Sequence, residues 1–308
     1  MIYTVTLNPA VDKTIIVKDL LIDHVNRAEN IREDAGGKGI NVSKMIKNLM
    51  GESVALGICA GRTGEFIQSQ LEEMGISHHF VQGDGQTRTN IKIVDDLNKT
   101  YTDINEIGAS VTQEVLDSLE ELIFTRLQKE DYLVLAGSVP ANVPTDIYKK
   151  WIQRCNEVGA KVILDADKEL LKNGVQAGPY LIKPNIHELE ALCHQKIETI
   201  EEAVLVAKEL LKYKIEIIVI SMGKDGCIVV TEEQTFKIKG LTVPVKSTVG
   251  AGDSMVAAIT YGLSHHETLK DAMILGVAAS AASIMQEGTI MGDLETIREL
   301  QQQIKITV

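Results

Sequence analysis

The sequence is short of the features that would tie it to a membrane, a nucleic acid or a bound metal cluster. Cysteine is scarce: Cys59, Cys155, Cys193 and Cys227 are the only four in 308 residues, and no two form a CxxC pair. This excludes a disulfide framework and the usual zinc spacings, and leaves free thiols in or near apolar runs, as expected in a reducing compartment. No apolar stretch reaches the roughly 18 residues of a spanning helix. The chain enters a strand-like run, Met1 to Leu7, with no basic segment or long apolar stretch before it, so a cytoplasmic protein without membrane contact is expected. Positive charge is also in deficit, with 31 Lys and Arg against 43 Asp and Glu and a net charge of −12. Such a balance disfavours nucleic acid and anionic membranes as partners. It still allows an anionic small molecule held by a few local cations. Two nucleotide signatures are missing as well. GxxxxGK[ST] occurs nowhere and no GxGxxG follows a strand, which argues against a Walker A loop and a nicotinamide site.

What remains is ordinary for a globular enzyme: 44% hydrophobic and 24% charged residues, in a length that suits one large domain or two smaller ones. Short runs rich in Val and Ile read as strands at 2–7, 53–58, 132–136, 161–165, 180–183, 216–221 and 227–231. Helical patterns lie between them. In one, Val42, Ile46, Leu49 and Met50 share a face from which Lys44, Lys47 and Asn48 point away. The alternation implies βαβ units and a mainly parallel sheet with helices on both faces. Two regions break the rhythm. Residues 11–18 with 26–34, and 87–95 with 99–106, read as strand pairs without helices, the second turning at Asp96–Asn98. They predict a small separate sheet acting as a lid within a single domain spanning residues 1–308. His78-His79 and His265-His266 have no partner at metal-ligand spacing and are expected to face solvent.

Ligands in open parallel sheets bind beyond the carboxyl ends of the strands, and four constellations fall there or on the lid. Thr248–Ser254 is a glycine-rich run that opens an apolar helix at Met255–Leu263. A helix start offers unpaired N–H groups and about half a positive charge to an anion. Asp253 in its first turn could take a proton from an attacking hydroxyl while the amides of Gly250, Ala251 and Gly252 absorb developing charge. A plain capped helix with a stabilising acid would use the same residues. Second, Gly36–Asn41 opens another helix, with Lys38 and Asn41 on one side of its first turn, a pairing suited to a phosphorylated polyol or to a solvated turn. Third, Lys183-Pro184-Asn185 with Glu188 fits a capping box, or a phosphate and Mg²⁺ site. Fourth, Arg88, Asn90 and Lys92 share one face of a lid strand, as a phosphate clamp or as an edge defence.

Taken together these residues resemble the PfkB branch of the ribokinase-like carbohydrate kinases. The resemblance runs through Thr4–Asp12, Val25–Ala28, Gly36–Asn41, Gly137–Pro140, Lys183–Asn185 and Gly250–Asp253, and so covers the whole chain. It implies a three-layer α/β/α fold with a small β-sheet lid built from about 11–34 and 87–106. It implies an ATP- and Mg²⁺-dependent kinase for a ketohexose phosphate, with Asp253 as base. Within the branch, the chain start, Val25–Arg27 and Thr102–Glu106 are most similar to enzymes that convert fructose 1-phosphate to fructose 1,6-bisphosphate. Enzymes acting on tagatose 6-phosphate share most of these motifs. Asp103, where some 6-phosphate enzymes are basic, argues for the 1-phosphate. By the same resemblance, Asp12, Gly37, Lys38, Asn41, Arg88, Asn90 and Ser138 form the sugar-phosphate pocket, with Lys38, Arg88 or Arg27 meeting the existing phosphate. Lys183, Asn185, Ser221, Gly223, Gly226, Thr248, Gly250 and Gly252 form the nucleotide side, and Glu188 reaches the metal through water. The run 276–284 packs near the adenine, and the lid sheets make a homodimer. A catalytically silent regulator is the alternative of another class, and the intact Asp253 argues against it.

Overall fold

A computed structural model describes residues 1–307. The chain runs β1 (Ile2–Thr6), β2 (Ala10–Val17), β3 (Ala28–Gly36), α1 (Lys38–Asn48), β4 (Val54–Cys59), α2 (Gly61–Glu73), β5 (Ser77–Gln82), β6 (Arg88–Asp95) and β7 (Thr100–Asn105). It continues α3 (Gln113–Phe124), β8 (Tyr132–Ala136), α4 (Ile147–Val158), β9 (Lys161–Asp165), α5 (Lys168–Val175), β10 (Leu181–Ile182), α6 (Ile186–Cys193), α7 (Ile200–Leu210) and β11 (Ile217–Ser221). The last elements are β12 (Cys227–Val230), β13 (Thr235–Ile238), α8 (Ala251–Ser264), α9 (Leu269–Ile284), α10 (Leu294–Gln301) and β14 (Ile306–Thr307).

The main sheet has the order β14-β13-β12-β11-β10-β9-β8-β1-β4-β5. From β11 to β5 every pairing is parallel, and the β12–β14 end is antiparallel. Strand side chains alternate between two cores, as a sheet covered on both faces requires. On β8, Leu133 and Leu135 join the core beneath α3, α4 and α7, whereas Tyr132, Val134 and Ala136 join the core beneath α1, α8 and α9. Helix α8 is buried almost all round because it is wedged against both α1 and α9. The single tryptophan, Trp151, is fully buried and donates from Nε1 to Glu120 Oε2 at 3.0 Å. Among the described residues, no helix is long and apolar enough to cross a membrane.

The expected lid is present as a four-stranded sheet in the order β3-β2-β6-β7, with β2 and β6 parallel across the long excursion that separates them. Several expectations need correction. The main sheet contains β5, β13 and β14, which were not anticipated, while the strand expected at 180–183 is only Leu181–Ile182. Met50 lies past the end of α1 at φ 63° and is 79% exposed, so it leaves the buried face. Lys44 is buried rather than turned outward, because α1 is enclosed by β1, the lid and α8. His78 is half-buried in β5 beside Phe80, its Nδ1 3.1 Å from Ile76 O. The other three histidines of the two doublets, His79, His265 and His266, are exposed as expected. All four cysteines are free: Cys59, Cys155 and Cys227 are buried, and burial pushes each of these thiols up to about 12, while Cys193 is half-buried.

Candidate active site

The carboxyl ends of β1, β8, β9, β10 and β11 open into one cavity of about 600 Å³, roofed by the lid and floored by the start of α8. On the floor, Gly250 adopts φ 77°, which lets the chain turn into α8 with no side chain over the helix end. The first intrahelical bond is Ser254 N to Gly250 O at 2.8 Å, so the N–H groups of Ala251, Gly252 and Asp253 have no partner inside the helix. The carboxylate of Asp253 stands in that turn, only 6% exposed, and accepts from Asn41 Nδ2 at 2.8 Å. Burial raises this carboxyl to about 6, with Asp165 pushing the same way and Lys38, Asn41 and Lys183 pulling it back. The result is a carboxylate that is charged at neutral pH yet basic enough to accept a proton.

Beside it, Asp165 at the end of β9 is fully enclosed by two cations. Lys38 Nζ lies 3.3 Å from Oδ2 and Lys183 Nζ 3.4 Å from Oδ1. Burial alone would raise Asp165, but Lys183 and Lys38 together bring it below its usual value. Asp165 in turn holds the Lys38 ammonium well above the ordinary lysine range. The two lysines held on this carboxylate stand next to the bare helix start, whose unpaired N–H groups and dipole suit an anion.

The lid supplies the opposite wall. Asn90 Nδ2 donates to Asp12 Oδ1 at 2.9 Å, and Arg88 donates to Asn8 O and Glu106 O, each at 3.2 Å. Farther along the roof, Lys92 pairs with Asp103 at 3.7 Å. Three buried polar atoms here have no protein partner: Asn41 Oδ1, Arg88 Nε and Asn90 Oδ1. Unpaired buried polar atoms are costly, and three of them around one cavity, one beside Asp253 and two on the lid, suit a ligand with several hydroxyls. The roof touches the body where Arg32 Nη2 donates to Glu287 O at 3.1 Å and Tyr101 to Lys246 O at 3.5 Å.

Of the residues expected from the sequence, Asp12, Gly37, Lys38, Asn41, Arg88, Asn90, Ser138, Lys183, Asn185, Ser221, Gly250, Gly252, Asp253 and Glu188 all line this cavity. Asn185 and Glu188 also form the capping box of α6, with reciprocal bonds of 2.9 Å. Gly223 and Gly226 flank a tight turn after β11, Thr248 is exposed in the loop before α8, and Ala251 is the first residue of α8; these four do not line the cavity. Arg27 is exposed and is not on it either. Lys13, Thr14 and Thr289 are on the wall and were not foreseen as site residues; Lys92, on the lid-strand face of Arg88 and Asn90, and Asp165, at a strand end, are on it as well. The signal for Asp165 was its place at the end of a strand, which could not show the two lysines that meet it.

Comparison with known proteins places this geometry. Residues 5–297 match the pfkB family of carbohydrate kinases. The chain is 37% identical over its whole length to 1-phosphofructokinase of Bacillus subtilis, covering 99% of that protein. It is 34% identical, again over its whole length and 99% of the relative, to D-tagatose-1-phosphate kinase of Bacillus licheniformis. Phosphofructokinase-2 from Escherichia coli in complex with fructose-6-phosphate superposes with a TM-score of 0.92 at 27% identity, over 98% of each chain.

Proposed function

This chain belongs to the pfkB family of carbohydrate kinases, ATP-dependent sugar kinases, and we propose from that premise that it phosphorylates O6 of fructose 1-phosphate to give fructose 1,6-bisphosphate. The observation that carries the reading is Asp253: a buried carboxylate raised to about 6, set in a bare helix start on the cavity that the lid roofs. Asp253 accepts the proton of the O6 hydroxyl as the oxygen attacks the γ-phosphorus. The bond from the β–γ bridging oxygen to that phosphorus breaks and ADP leaves. The free amides of Ala251, Gly252 and Asp253 hold the transferring group, and Lys38 and Lys183 offset its charge. Closure of the lid keeps water from competing as acceptor.

The donor set fits nucleotide phosphates, since the helix start of α8 and the two lysines held on Asp165 line the same cavity. Gly223, Gly226 and Thr248 complete the nucleotide side from beyond the wall, with 276–284 near the base. Glu188 would hold Mg²⁺ through a water, and the metal when bound would supply charge neutralisation for the nucleotide phosphates. At the other end, Asp12, Asn41, Asn90 and Ser138 meet sugar hydroxyls, and Arg88 meets the phosphate already present. The lid favours pairing of two copies. Ile15, Ile31 and Ile93 fall in one cross-strand row, and Ile31 and Ile104 are more than half exposed. A homodimer through these faces would cover them.

The relative that acts on a tagatose 1-phosphate favours a second reading in the same orientation, with the C4 epimer of fructose 1-phosphate as substrate. A 6-phosphate would enter reversed and present different hydroxyls to Asp12 and Asn41, leaving polar groups unpaired. Specificity constants with fructose 1-phosphate, tagatose 1-phosphate, fructose 6-phosphate and tagatose 6-phosphate at saturating Mg-ATP test the assignment. The highest value is expected for fructose 1-phosphate. A 6-phosphate in first place overturns the orientation, and no turnover with any of the four overturns the kinase reading in favour of a silent regulator.

A further inference from the structure

Lys44 plays no part in the reaction as described, yet it is one of only two buried lysines among the described residues, the other being Lys183 in the cavity. It lies on α1 and donates from Nζ to Ala35 O, near the end of lid strand β3 where the chain turns back into α1. Asp34, next to Ala35, pairs across the lid sheet with Asp12. Burial draws the Lys44 ammonium below the ordinary lysine range, while Asp34 and then Asp12 pull it back up and Arg32 opposes them. Asp34 is engaged by Arg32 Nε at 2.8 Å and Thr289 Oγ1 at 3.4 Å. Asp12 packs so closely on the lid return that a Cβ on Gly36 would sit 2.1 Å from its Oδ2. The buried ammonium therefore holds a carbonyl at the root of the lid, next to two paired carboxylates. A hydrogen bond to Ala35 O alone would be met by any neutral donor. A buried charge is retained where opposite charges need it.

We infer that Lys44 is a positioning residue for sugar binding: its ammonium fixes the root of β3 and supplies the positive charge against which the Asp12 carboxylate is held on the cavity wall. The electrostatics around Asp12 agree. Burial pushes Asp12 upward and Asp34 adds to this, while the Asn90 hydrogen bond, Lys44 and Arg88 draw it down. Without the Lys44 charge, Asp12 protonates at higher pH and presents a donor where the sugar hydroxyls otherwise meet an acceptor.

The inference rests on Asp12 as a sugar-binding group, so Asp12→Asn is measured beside the Lys44 variants. Lys44→Gln keeps a donor for Ala35 O and loses the charge; Lys44→Arg keeps both. KM for fructose 1-phosphate and for ATP is measured at several pH values from neutral down to about pH 5.5, in the range where carboxylates of raised pKa titrate. Lys44→Gln is expected to raise the sugar KM about 10- to 100-fold. The rise steepens as pH falls, the ATP KM stays within about twofold, and Lys44→Arg restores most of the loss. Asp34→Asn removes an anion from beside Asp12 and is expected to move the acidic rise in sugar KM to lower pH, a test that holds even if Lys44→Gln does not fold. A wild-type sugar KM in Lys44→Gln, an equal pH-independent rise for both substrates, or no pH movement in Asp34→Asn overturns the inference alone. An unchanged sugar KM in Asp12→Asn overturns the reading of the pocket and the inference with it.

Discussion

Replacing the Asp253 carboxylate should make the protein more stable. Asp253 is 6% exposed, and burial takes its carboxyl from 3.8 to about 6. A rise of roughly two units at about 1.4 kcal/mol each means that holding it ionised costs the fold about 3 kcal/mol at pH 8. Asn has the same shape, carries no charge and still offers an oxygen to Asn41 Nδ2. Asp253→Asn should therefore gain about 3 kcal/mol at pH 8, raising Tm by on the order of 5 °C. The pH dependence fixes the sign. Because the folded-state pKa is raised, the contribution of Asp253 to stability is fully present below about pH 3.8 and is lost as pH rises through about 6. The advantage of the variant should vanish near pH 4, open between pH 4 and 6, and stay constant above. Urea unfolding of both proteins at pH 8, 6 and 4.5 measures this, and other titrating groups cancel in the difference. A variant less stable than wild type at pH 8, or a gap that does not change with pH, would refute the electrostatic account of the site.

The same carboxylate sets the rate profile: kcat/KM should fall about tenfold per pH unit below about 6, because the protonated form cannot accept the hydroxyl proton. A flat profile down to pH 5 would contradict this. Arg88→Ala should raise the sugar-phosphate KM about 10- to 100-fold through the loss of a charge-assisted bond, with the ATP KM nearly unchanged. An effect falling on ATP instead would redraw the division of the cavity. Gly250→Ala places a side chain at φ 77° and should cost about 1 kcal/mol of stability while lowering kcat by distorting the helix start. Thermal unfolding and initial rates on one preparation check both effects.

Features set by neighbouring residues were legible in the sequence, and features set by distant partners were not. The helix start at Gly250–Asp253 and the capping box of Asn185 and Glu188 each fit within a few residues, so local chemistry sufficed. The lid strands were visible for the same reason, but the parallel pairing of β2 with β6 depends on how the chain returns after α1, β4, α2 and β5. Asp165 acquires its role from Lys38 and Lys183, which are remote in sequence and adjacent only once β9 and β10 pair and α1 docks above them. Strand β5 was missed because Ser77–Gln82 carries two histidines and no alternating apolar pattern, as an edge strand can. The outward placement of Lys44 failed because a helix enclosed on several sides has no truly solvent-facing stripe, and a buried cation becomes tolerable only through Asp34 and Asp12 on other elements.

The central claim is that Asp253 takes the proton during phosphoryl transfer, and it is tested most directly by the kcat of Asp253→Asn with fructose 1-phosphate and Mg-ATP, alongside the Kd of each substrate. Loss of a general base predicts a fall in kcat of about 10² to 10⁴, with both Kd values within a few-fold of wild type. A kcat near that of the wild type, with substrates still bound, would remove Asp253 from the chemistry and contradict the account.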